Sequence, residues 1–443
     1  MLLKSRLLLL TSVACASTLL ASSVFAEQDE NSLPFLSGLP DQANMIAPAT
    51  SHNQKNKTYI LPATPATTQW GVFDNSQTPV LTIKPGDSVA IETMTASDNQ
   101  VVPGSTIEQI LKIQNAVPNR GPHTVTGPIY VEGAEPGDVL RIHLNKIVPR
   151  AYASNNTGPN KGLFPQEFPD NYVKYFYLDV KNKKMQFAPG IVVPLAPFPG
   201  VIAVARTEPG KYSSGPPGTF GGNMDLREMT EGATVYLPVF VKGGLVWSGD
   251  SHAGQGNGEI DLTAIETAFS ELNVTIDLIK QKPLTWPRVE TPTAWIAVGY
   301  DEDLNKAFDI LKDETVKLIV EQRKVSPEQA QKIMLETWNC PIAEVVNGVK
   351  GVYCMVPKQA GVKAPILPTA DNAKLFVTYA KDPDLQKAMS KAAMAMLNKI
   401  VEVKKLSRVD AYTLASFTLD CRIAPPKSSD KEVYCTMAKN LWV

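Results

Sequence analysis

The chain has 443 residues, of which 44% are hydrophobic, and this is enough for two or three globular domains. Its 43 lysines and arginines nearly balance its 44 aspartates and glutamates, so the net charge at pH 7 is −1. This balance gives no electrostatic reason for nucleic-acid binding, and we predict no nucleic-acid partner.

The first 26 residues have the pattern of a secretory signal peptide. Lys4 and Arg6 precede an apolar stretch, and Val24-Phe25-Ala26 fits a small-residue cleavage site. The stretch is short and interrupted by serine and threonine, which argues against the alternative of a membrane-anchoring helix. A lipid on Cys15 is another alternative, but the residues before it make a poor lipoprotein box. We therefore expect cleavage near Ala26, a periplasmic or secreted protein, and no membrane association after the signal is removed.

Residues 27–66 are polar and predict an extended arm, whereas residues 67–289 predict a β-rich core. Within the core, three stretches alternate polar and apolar residues on both sides of a glycine-containing turn. We predict hairpins at 79–93, 127–149 and 235–252. Helical signals in the core are weak, except after Glu259, where the segment IDLTAIETAF is ambiguous.

The last part of the chain contains two copies of one pattern, offset by 81 residues. The first copy is assigned to 290–362 and the second to 371–443. Each copy predicts a strand, a long amphipathic helix, and a second helix that begins after a serine N-cap, Ser326 or Ser407. The predicted fold class is therefore α+β, a mainly β core followed by a duplicated strand–helix–helix part.

Four cysteines remain after removal of the signal peptide, and they follow the internal repeat. Cys340 and Cys354 are 14 residues apart, as are Cys421 and Cys435. In an oxidising compartment an even number of cysteines favours disulfides, with three connectivities open. We favour one bridge within each copy, because a duplicated unit would duplicate a local bridge. Four reduced, buried thiols are the alternative, and a zinc site is disfavoured because there is no C-x-x-C motif and no nearby histidine.

The stretch richest in reactive side chains is GDSHAGQGNGE, residues 249–259. Asp250 and His252 are two residues apart, so on a strand both side chains lie on one face and can reach one ion. The glycines that follow let the chain turn tightly and return Glu259 to the same place. A carboxylate and an imidazole beside an open position are ligands with which a divalent metal activates water. The alternative is a glycine-rich turn with a solvated histidine.

Two further groups of polar residues accompany this stretch. A glycine pair that ends at Gly222 precedes Asn223 and Asp225, and glycine beside a polar pair often marks close approach of the backbone to a ligand. His123 stands before a predicted strand, and Asp98 follows the first predicted hairpin. For each group the alternative is a turn or solvated loop without a ligand.

Several stretches, in the same order, resemble the acetamidase/formamidase family of amide hydrolases. They are LPATPATTQWGVFD (61–74), PVLTIKPGDSVAIET (79–93), TGPIYVEGAEPGDVL (126–140), GGNMDLREMTEGATVYLPV (221–239), GDSHAGQGNGEIDLTAIE (249–266), RVETPTAWIAVGYDEDL (288–304) and VVNGVKGVYCMVPK (345–358). Several motifs in the right order make this resemblance more specific than any single motif.

The resemblance implies a mainly β core with an α/β part, a bound divalent metal, and hydrolysis of a short linear amide to carboxylate and ammonia. Its motifs G-G-N-x-D and G-D-x-H-x-x-Q-G-x-G-E match the residues already named, together with Gln255. The hypothesis assigns roles to nine residues. They are the metal ligands Asp225, Asp250, His252 and His123, the catalytic residues Glu259, Asp98 and Asn223, and the substrate-binding residues Gln255 and Gly222.

In the hypothetical mechanism the metal polarises a water and the amide carbonyl. Glu259 or Asp98 takes the proton of the water, and Asn223 stabilises the developing oxyanion. Zinc is the first choice of metal, with calcium and manganese as alternatives that such ligands do not separate. The predicted partner is a small linear amide, and a homo-oligomer is left open.

Three features depart from the family pattern. Asn257 stands where the family usually has aspartate, Gln69 stands where it commonly has histidine, and the second copy extends beyond the usual end near residue 360. These departures leave open a non-catalytic periplasmic protein that binds an amide or peptide on the same fold. A serine hydrolase that uses Ser213 or Ser214 is a smaller alternative.

Overall fold

The computed structural model describes residues 48–49, 56–117, 120–158, 160–427 and 429–443. The predicted signal peptide and most of the predicted arm therefore lie outside the described residues. Met45–Val443 form one structural unit. In the described part of this unit, no helix is both long enough and apolar enough to cross a membrane.

Most strands of the described residues belong to two large sheets. In chain order the strands are β1 Pro48–Ala49, β2 Thr58–Leu61, β3 Thr68–Trp70, β4 Val72–Asp74, β5 Leu81–Ile83, β6 Ser88–Ile91, β7 Thr124–Val131, β8 Val139–Pro149, β9 Tyr152–Thr157, β10 Tyr172–Asp179, β11 Lys184–Ala188, β12 Ile191–Pro194, β13 Phe198–Val204, β14 Lys211–Ser213, β15 Gly221–Asn223, β16 Thr234–Pro238, β17 Val246–His252, β18 Glu266–Thr267, β19 Phe269–Ile279, β20 Arg288–Glu290, β21 Ala294–Asp301, β22 Cys340–Glu344, β23 Lys350–Pro357, β24 Leu375–Asp382, β25 Asp420–Ile423 and β26 Lys431–Ala438.

The helices lie mainly in the C-terminal part of the chain. They are α1 Ile107–Asn115, α2 Leu304–Arg323, α3 Pro327–Glu336, α4 Leu385–Lys404, α5 Arg408–Thr418 and a short 3-10 helix, Lys439–Leu441. Ser326 and Ser407 cap α3 and α5, as their sequence pattern predicts. The sequence analysis did not predict α1, although Thr106 and Gln109 form a capping box at its start.

The two sheets face each other across a hydrophobic core. The larger sheet has thirteen strands, in the order β1-β2-β6-β19-β8-β16-β20-β21-β23-β22-β25-β26-β24. The path of the smaller sheet is β12-β11-β10-β9-β18-β17-β13-β15, and β7 joins it by pairing with β17, β3 and β5. The core between them contains Leu140 from the larger sheet and Val201 and Trp247 from the smaller one. This architecture confirms the predicted mainly β core.

The three predicted hairpins are wrong, because in each of them the two strands belong to different sheets. β5 pairs with β7, whereas β6 pairs with β2 and β19. The pairs β7 and β8, and β16 and β17, are divided between the sheets in the same way. Two of the turns bury an aspartate, Asp87 or Asp138, whose carboxylate accepts a backbone N–H. Alternation indicates that a strand has one buried face, but it does not identify the neighbouring strand.

The two C-terminal copies have the same order of elements. The first runs β21-α2-α3-β22-β23 and the second runs β24-α4-α5-β25-β26. The long helices α2 and α4 each have 20 residues and each end at a lysine with left-handed backbone, Lys324 or Lys405. Within the sheet the strand orders β21-β23-β22 and β24-β26-β25 correspond, and the copies meet where β22 pairs antiparallel with β25.

Each copy contains the disulfide that we favoured from the sequence. Cys340–Cys354 joins β22 to β23, and Cys421–Cys435 joins β25 to β26. All four cysteines are buried, so the bridges are part of the packed interior.

Candidate active site

The polar residues of the glycine-rich stretch lie where several strands of the smaller sheet end. β17 pairs with β13, β7 and β18, and its last residue, His252, lies opposite Glu266 of β18. Asp225 follows β15, which pairs with β13 on the side away from β17. Glu259 lies beyond the glycines that follow β17. The fold therefore brings together side chains from separate parts of the chain.

His252 is the centre of the resulting cluster. Its Nε2 atom lies 3.3 Å from Asp250 Oδ2 and 3.3 Å from Glu266 Oε1, and its Nδ1 atom lies 3.7 Å from Asp225 Oδ1. Ligand atoms of Asp225, His252 and Glu259 lie within 4.8 Å of one another, as do those of Asp250, His252 and Glu266. Two groups of three potential metal ligands thus share one histidine.

Several buried polar atoms in this cluster have no hydrogen-bond partner in the described part of the chain. They are Asn223 Oδ1, Asp225 Oδ1, His252 Nδ1 and His252 Nε2. Buried polar atoms in folded proteins are nearly always bonded to protein, water or a ligand. Four unpartnered atoms in one place therefore indicate a site that is completed by something other than the protein.

Gly200 keeps the space between these side chains open. A Cβ atom at this position would lie 2.4 Å from Asp250 Oδ2, 2.7 Å from Asp225 Oδ1 and 2.8 Å from His252 Cε1. These distances are too short for any residue larger than glycine. The carboxylates and the imidazole consequently surround a small gap that the backbone of β13 does not fill.

Three acidic residues of the cluster have strained backbone conformations. The φ angles are 44° at Asp225, 51° at Asp250 and 49° at Glu259. Residues other than glycine rarely adopt positive φ, and such strain of about 1–3 kcal/mol each is concentrated at functional sites. These strained conformations direct the three carboxylates to one place.

The close packing of charged groups perturbs their protonation. Burial raises the pKa of Glu259 well above its usual value, and the nearby Asp225 raises it further. Burial would lower the pKa of His252, but Asp250 and Glu266 outweigh it and raise this pKa well above its usual value. Against the effect of burial, two histidine rings hold the pKa of Asp250 at about 2. Carboxylates crowded in this way favour a cation among them.

A cavity of about 700 Å³ opens above the cluster. Its lining includes four residues that the sequence analysis selected, Asn223, Asp250, Glu259 and His123. The Nε2 atom of His123 lies 3.7 Å from Asp250 Oδ2, and its Nδ1 atom lies 3.0 Å from the carbonyl of Ser214. The selected residues His252 and Asp225 are buried beneath this lining, each 1% exposed.

Three other selected residues lie away from the cavity lining. Gln255 is buried, and its side chain donates to the carbonyl of Asp225 at 3.3 Å. Gly222 has a φ of 85°, and a Cβ there would lie 2.9 Å from the carbonyl of Pro216. Both positions favour support of the site rather than contact with a substrate. Asp98 is exposed in a turn, so its position does not favour transfer of a proton within the cluster.

The sequence analysis missed Glu266 as a member of the cluster. This residue lies in β18, a strand of two residues opposite the end of β17. Its carboxylate lines the cavity and approaches His252 from the side opposite Asp225. The pattern of this segment was ambiguous between helix and strand. A strand prediction at Glu266–Thr267 would have placed the carboxylate beside the histidine.

Asn347 is the second residue that the sequence analysis missed. Its Nδ2 atom donates to Asp225 Oδ2 at 2.6 Å and approaches Glu259 Oε2 at 3.4 Å. The turn that carries it is held by Glu344, whose Oε2 atom accepts the N–H groups of Val346 and Asn347. Burial raises the pKa of Glu344 to about 8. No spacing rule connects Asn347 with acidic residues that stand so far before it in the chain.

The two single residues that depart from the family pattern lie outside the cavity lining. Asn257 is 1% exposed, and its Nδ2 atom donates to the carbonyl of Ile342 at 2.7 Å. Its Oδ1 atom accepts the backbone N–H of Cys421 at 3.1 Å. Gln69 accepts the N–H of Asp74 at 2.8 Å and donates to Gln77 at 2.8 Å. The side-chain amides of Asn257 and Gln69 therefore each act as both a donor and an acceptor in hydrogen bonds within the fold.

Neither serine of the smaller alternative has the geometry of a nucleophile. Ser214 is completely buried, and its carbonyl, not its hydroxyl, contacts His123. The hydroxyl of Ser213 accepts the backbone N–H of Gly215 at 3.2 Å. Within the described residues, neither serine hydroxyl forms the hydrogen bond to a histidine that activates a serine nucleophile.

Comparison with known proteins places this arrangement in a family. A model of the acetamidase/formamidase family matches residues 73–212 and 210–295, which together are half of the chain. An acetamidase of Mycolicibacterium smegmatis is 26% identical over 262 residues, 45% of this chain and 63% of that protein. A formamidase of Methylophilus methylotrophus is 27% identical over 275 residues, 48% of this chain and 66% of that protein. The chain thus spans less than two thirds of the length of these curated relatives.

A solved structure extends the similarity to more of the fold. The crystal structure of a predicted acetamidase/formamidase from Thermoanaerobacter tengcongensis is 32% identical, with a TM-score of 0.61. The match covers 68% of this chain and 95% of that one. The family proposed from the sequence motifs is confirmed by these matches: the chain belongs to the acetamidase/formamidase family.

Proposed function

We propose that the protein hydrolyses the C–N bond of a linear carboxamide to give a carboxylate and ammonia. The observation that carries this proposal is the cluster around His252, in which carboxylates and an imidazole surround buried atoms without protein partners at the floor of a cavity. The similarity to an acetamidase and a formamidase supports the same reaction class.

The donor set fits a divalent cation. Asp225, Asp250 and His252 would hold it in the gap beside Gly200, and Glu266 lies close enough to complete the set. When bound, the ion acts as a Lewis acid that polarises the amide carbonyl and increases the acidity of water. Zinc is our first choice because an imidazole among carboxylates suits it, and calcium and manganese are the alternatives.

Three residues that line the cavity, Glu259, Asn223 and Asn347, have separate roles in the proposed reaction. Glu259 accepts a proton from the attacking water and returns it to the leaving nitrogen, since its carboxylate faces the cavity. Asn223 directs its side-chain amide to the same space, where its Nδ2 donates to the developing oxyanion. Asn347 holds Asp225 and Glu259 at a fixed spacing through the contacts of its Nδ2 atom.

The non-catalytic alternative finds no support in the position of the residues that suggested it. Asn257 and Gln69 differ from the family pattern, but their side chains bond to backbone and to a glutamine outside the cavity lining. A change of residue there leaves the candidate catalytic groups in place.

We further propose that the protein is exported. The signal-peptide pattern of residues 1–26 and two buried disulfides are both typical of an oxidising compartment. N-terminal sequencing of the protein from a periplasmic or culture-medium fraction should find a start near Glu27. Recovery of an uncleaved, reduced chain from the cytoplasm would contradict export.

The test of the proposed reaction is release of ammonia from formamide and acetamide. We expect activity in the metal-loaded protein, loss on chelation and recovery when zinc is returned. His252→Ala should lower kcat/KM at least about 1000-fold, because it removes the shared ligand. His143→Ala is the matched control, since this histidine lies on β8, outside the cavity lining, and contacts Thr234 of β16.

Two results would overturn the proposal. The first is full amide hydrolysis after complete metal removal or in the folded His252→Ala protein. The second is the absence of ammonia from every amide tried with the folded, metal-loaded protein. Circular dichroism and intact disulfides establish that each protein tested is folded.

A further inference from the structure

The cavity is far larger than the smallest amides require. Its volume of about 700 Å³ falls within the roughly 300–1,000 Å³ that is usual for pockets binding drug-sized ligands. Formamide and acetamide would occupy only the floor beside Glu259 and Asn223. The rest of the cavity is therefore available to the part of a substrate that does not react.

The acidic residues of the cavity lining are more deeply buried than two of its cations. The acidic residues Asp250, Glu259 and Glu266 lie at the floor, where the side chain of Asp250 is 7% exposed and that of Glu266 is 19% exposed. The mouth carries two exposed cations, Arg120 and Lys161, which also line the cavity. Within the described residues neither cation forms an ion pair, so both charges are available to a ligand.

Trp70 adds a second feature that points to a ligand. The guanidinium of Arg120 lies 5.5 Å from the centre of the Trp70 ring, which holds the cation beside the mouth. The indole N–H of Trp70 is buried and has no partner among the described residues. The same side chain also borders a separate groove beside α1. A polar acceptor on a long ligand would satisfy this donor.

We propose that the substrate is a primary amide whose acyl chain ends in a carboxylate, a monoamide of a dicarboxylic acid. This inference rests on the proposed amidase function. The amide lies at the floor beside Glu259 and Asn223, and the distal carboxylate lies between Arg120 and Lys161. A guanidinium and an ammonium are the groups that recognise a carboxylate most strongly. Hydrolysis then consumes one water and yields the dicarboxylate and ammonia.

Matched substrate pairs test this proposal. Each pair consists of a dicarboxylic acid monoamide, such as adipamate or glutaramate, and the diamide of the same chain length. We expect kcat/KM to favour the acid, and the preference to shrink as sodium chloride is added, because salt screens exposed charges. Arg120→Gln and Lys161→Gln should each raise KM for the acid about 2- to 5-fold. Neither variant should change kcat or the kinetics of the diamide.

Lys181→Gln is the matched control, because it removes an exposed cation in a turn that does not line the cavity. Equal kcat/KM for the two members of each pair, or equal effects of the variants on acid and diamide, would overturn the inference and leave the amidase function standing. Absence of hydrolysis of both members would instead overturn the amidase function. In that case calorimetric binding of the same pairs decides whether the mouth selects a carboxylate, since equal affinity of acid and diamide would refute it.

Discussion

The two C-terminal copies have nearly the same architecture but different relations to the active site. We call Ala294–Pro357 the first segment and Leu375–Ala438 the second segment. The turn between β22 and β23 of the first segment lines the cavity with residues that include Asn347 and Gly348. Of the described residues of the second segment, none lines it. Its equivalent turn instead borders a separate pocket of about 210 Å³ beside α2.

The sequences of the two turns explain part of this difference. Glu344 is buried in the first segment and accepts the N–H groups of Val346 and Asn347, which fixes the turn toward the cluster. The second segment has Pro425 at the equivalent position, which has neither a carboxylate nor a backbone N–H. Both segments thus have the same order of elements, but in the described residues only the turn of the first segment reaches the site.

The second segment contacts the glycine-rich loop from behind instead. The N–H groups of Gly256 and Asn257 donate to the carbonyls of Ser416 and Leu419, at 2.7 and 2.6 Å. The hydroxyl of Tyr412 donates to the carbonyl of Ile260 at 2.5 Å. The first segment also holds this loop, through backbone hydrogen bonds of Gly258 with Ala343 and Val345, and it additionally supplies the side chain of Asn347 to the site.

In the comparison of the two segments, the largest predicted effect is the loss of stability when a disulfide is removed. This loss should be equal in the two segments. Removing either disulfide, by Cys340→Ala with Cys354→Ala or by Cys421→Ala with Cys435→Ala, should lower the free energy of unfolding by about 3 kcal/mol, because the closed loops have the same length. Guanidinium unfolding measures both values. A difference of more than about 1 kcal/mol between the two pairs would break the structural equivalence of the segments.

The second effect should separate the segments by activity. Asn347→Ala should lower kcat/KM for acetamide about 10- to 100-fold, because Asp225 and Glu259 lose the amide that positions them. The unfolding midpoint should change little. Ser429→Ala, in the equivalent turn of the second segment, is the matched control and should keep full activity. Equal activity of the two variants would remove the functional distinction between the turns.

The third effect tests how closely the second segment supports the loop. A Cβ on Gly256 would lie 2.6 Å from the backbone nitrogen of Leu419 and 2.7 Å from the carbonyl oxygen of Ala415. We expect Gly256→Ala to lower the free energy of unfolding by about 2 kcal/mol, because backbone atoms must move apart. Gly254→Ala is the control, since its nearest contact would be an ordinary 3.4 Å to Ile265. Equal thermal midpoints for both variants would show that this contact is dispensable.

The smallest effect concerns the departure at Asn257. Asn257→Asp, which restores the usual residue of the family, should lower the free energy of unfolding by about 1 kcal/mol, because the carbonyl of Ile342 loses its donor. Catalytic constants should stay unchanged, since the side chain lies outside the cavity lining. Asn398→Asp is the control, an exposed position whose Oδ1 acceptor aspartate retains. A gain of activity in Asn257→Asp would show that the residue acts in catalysis after all.

The sequence predicted the fold best where the signal is local. The serine caps, the long helices and the disulfide within each copy depend on residues close together in the sequence. These features were predicted correctly. Strand partners depend on contacts between distant residues, and the three hairpins were wrong for that reason. The capping box before α1 was a local signal that the sequence analysis overlooked.

The same distinction applies to the site. Asp250 and His252 are close in sequence, and the structure brings their side chains within 3.3 Å. Glu266 could have been placed by a correct strand assignment in an ambiguous segment. Asn347 could not have been found by spacing, because it reaches the cluster only through the packing of the first segment against the core. The roles of all these residues stay predictions until the variants are measured.

The contacts of the second segment also have a consequence for the order of events during synthesis. The loop around Gly256 and Asn257 obtains its partners Ser416 and Leu419 from a part of the chain that is made after it. A ribosome-bound chain that lacks the second segment lacks these partners, although the backbone contact of Gly258 with Ala343 of the first segment can already form. The loop that carries Glu259 therefore gains its full set of backbone contacts only once the second segment is also available.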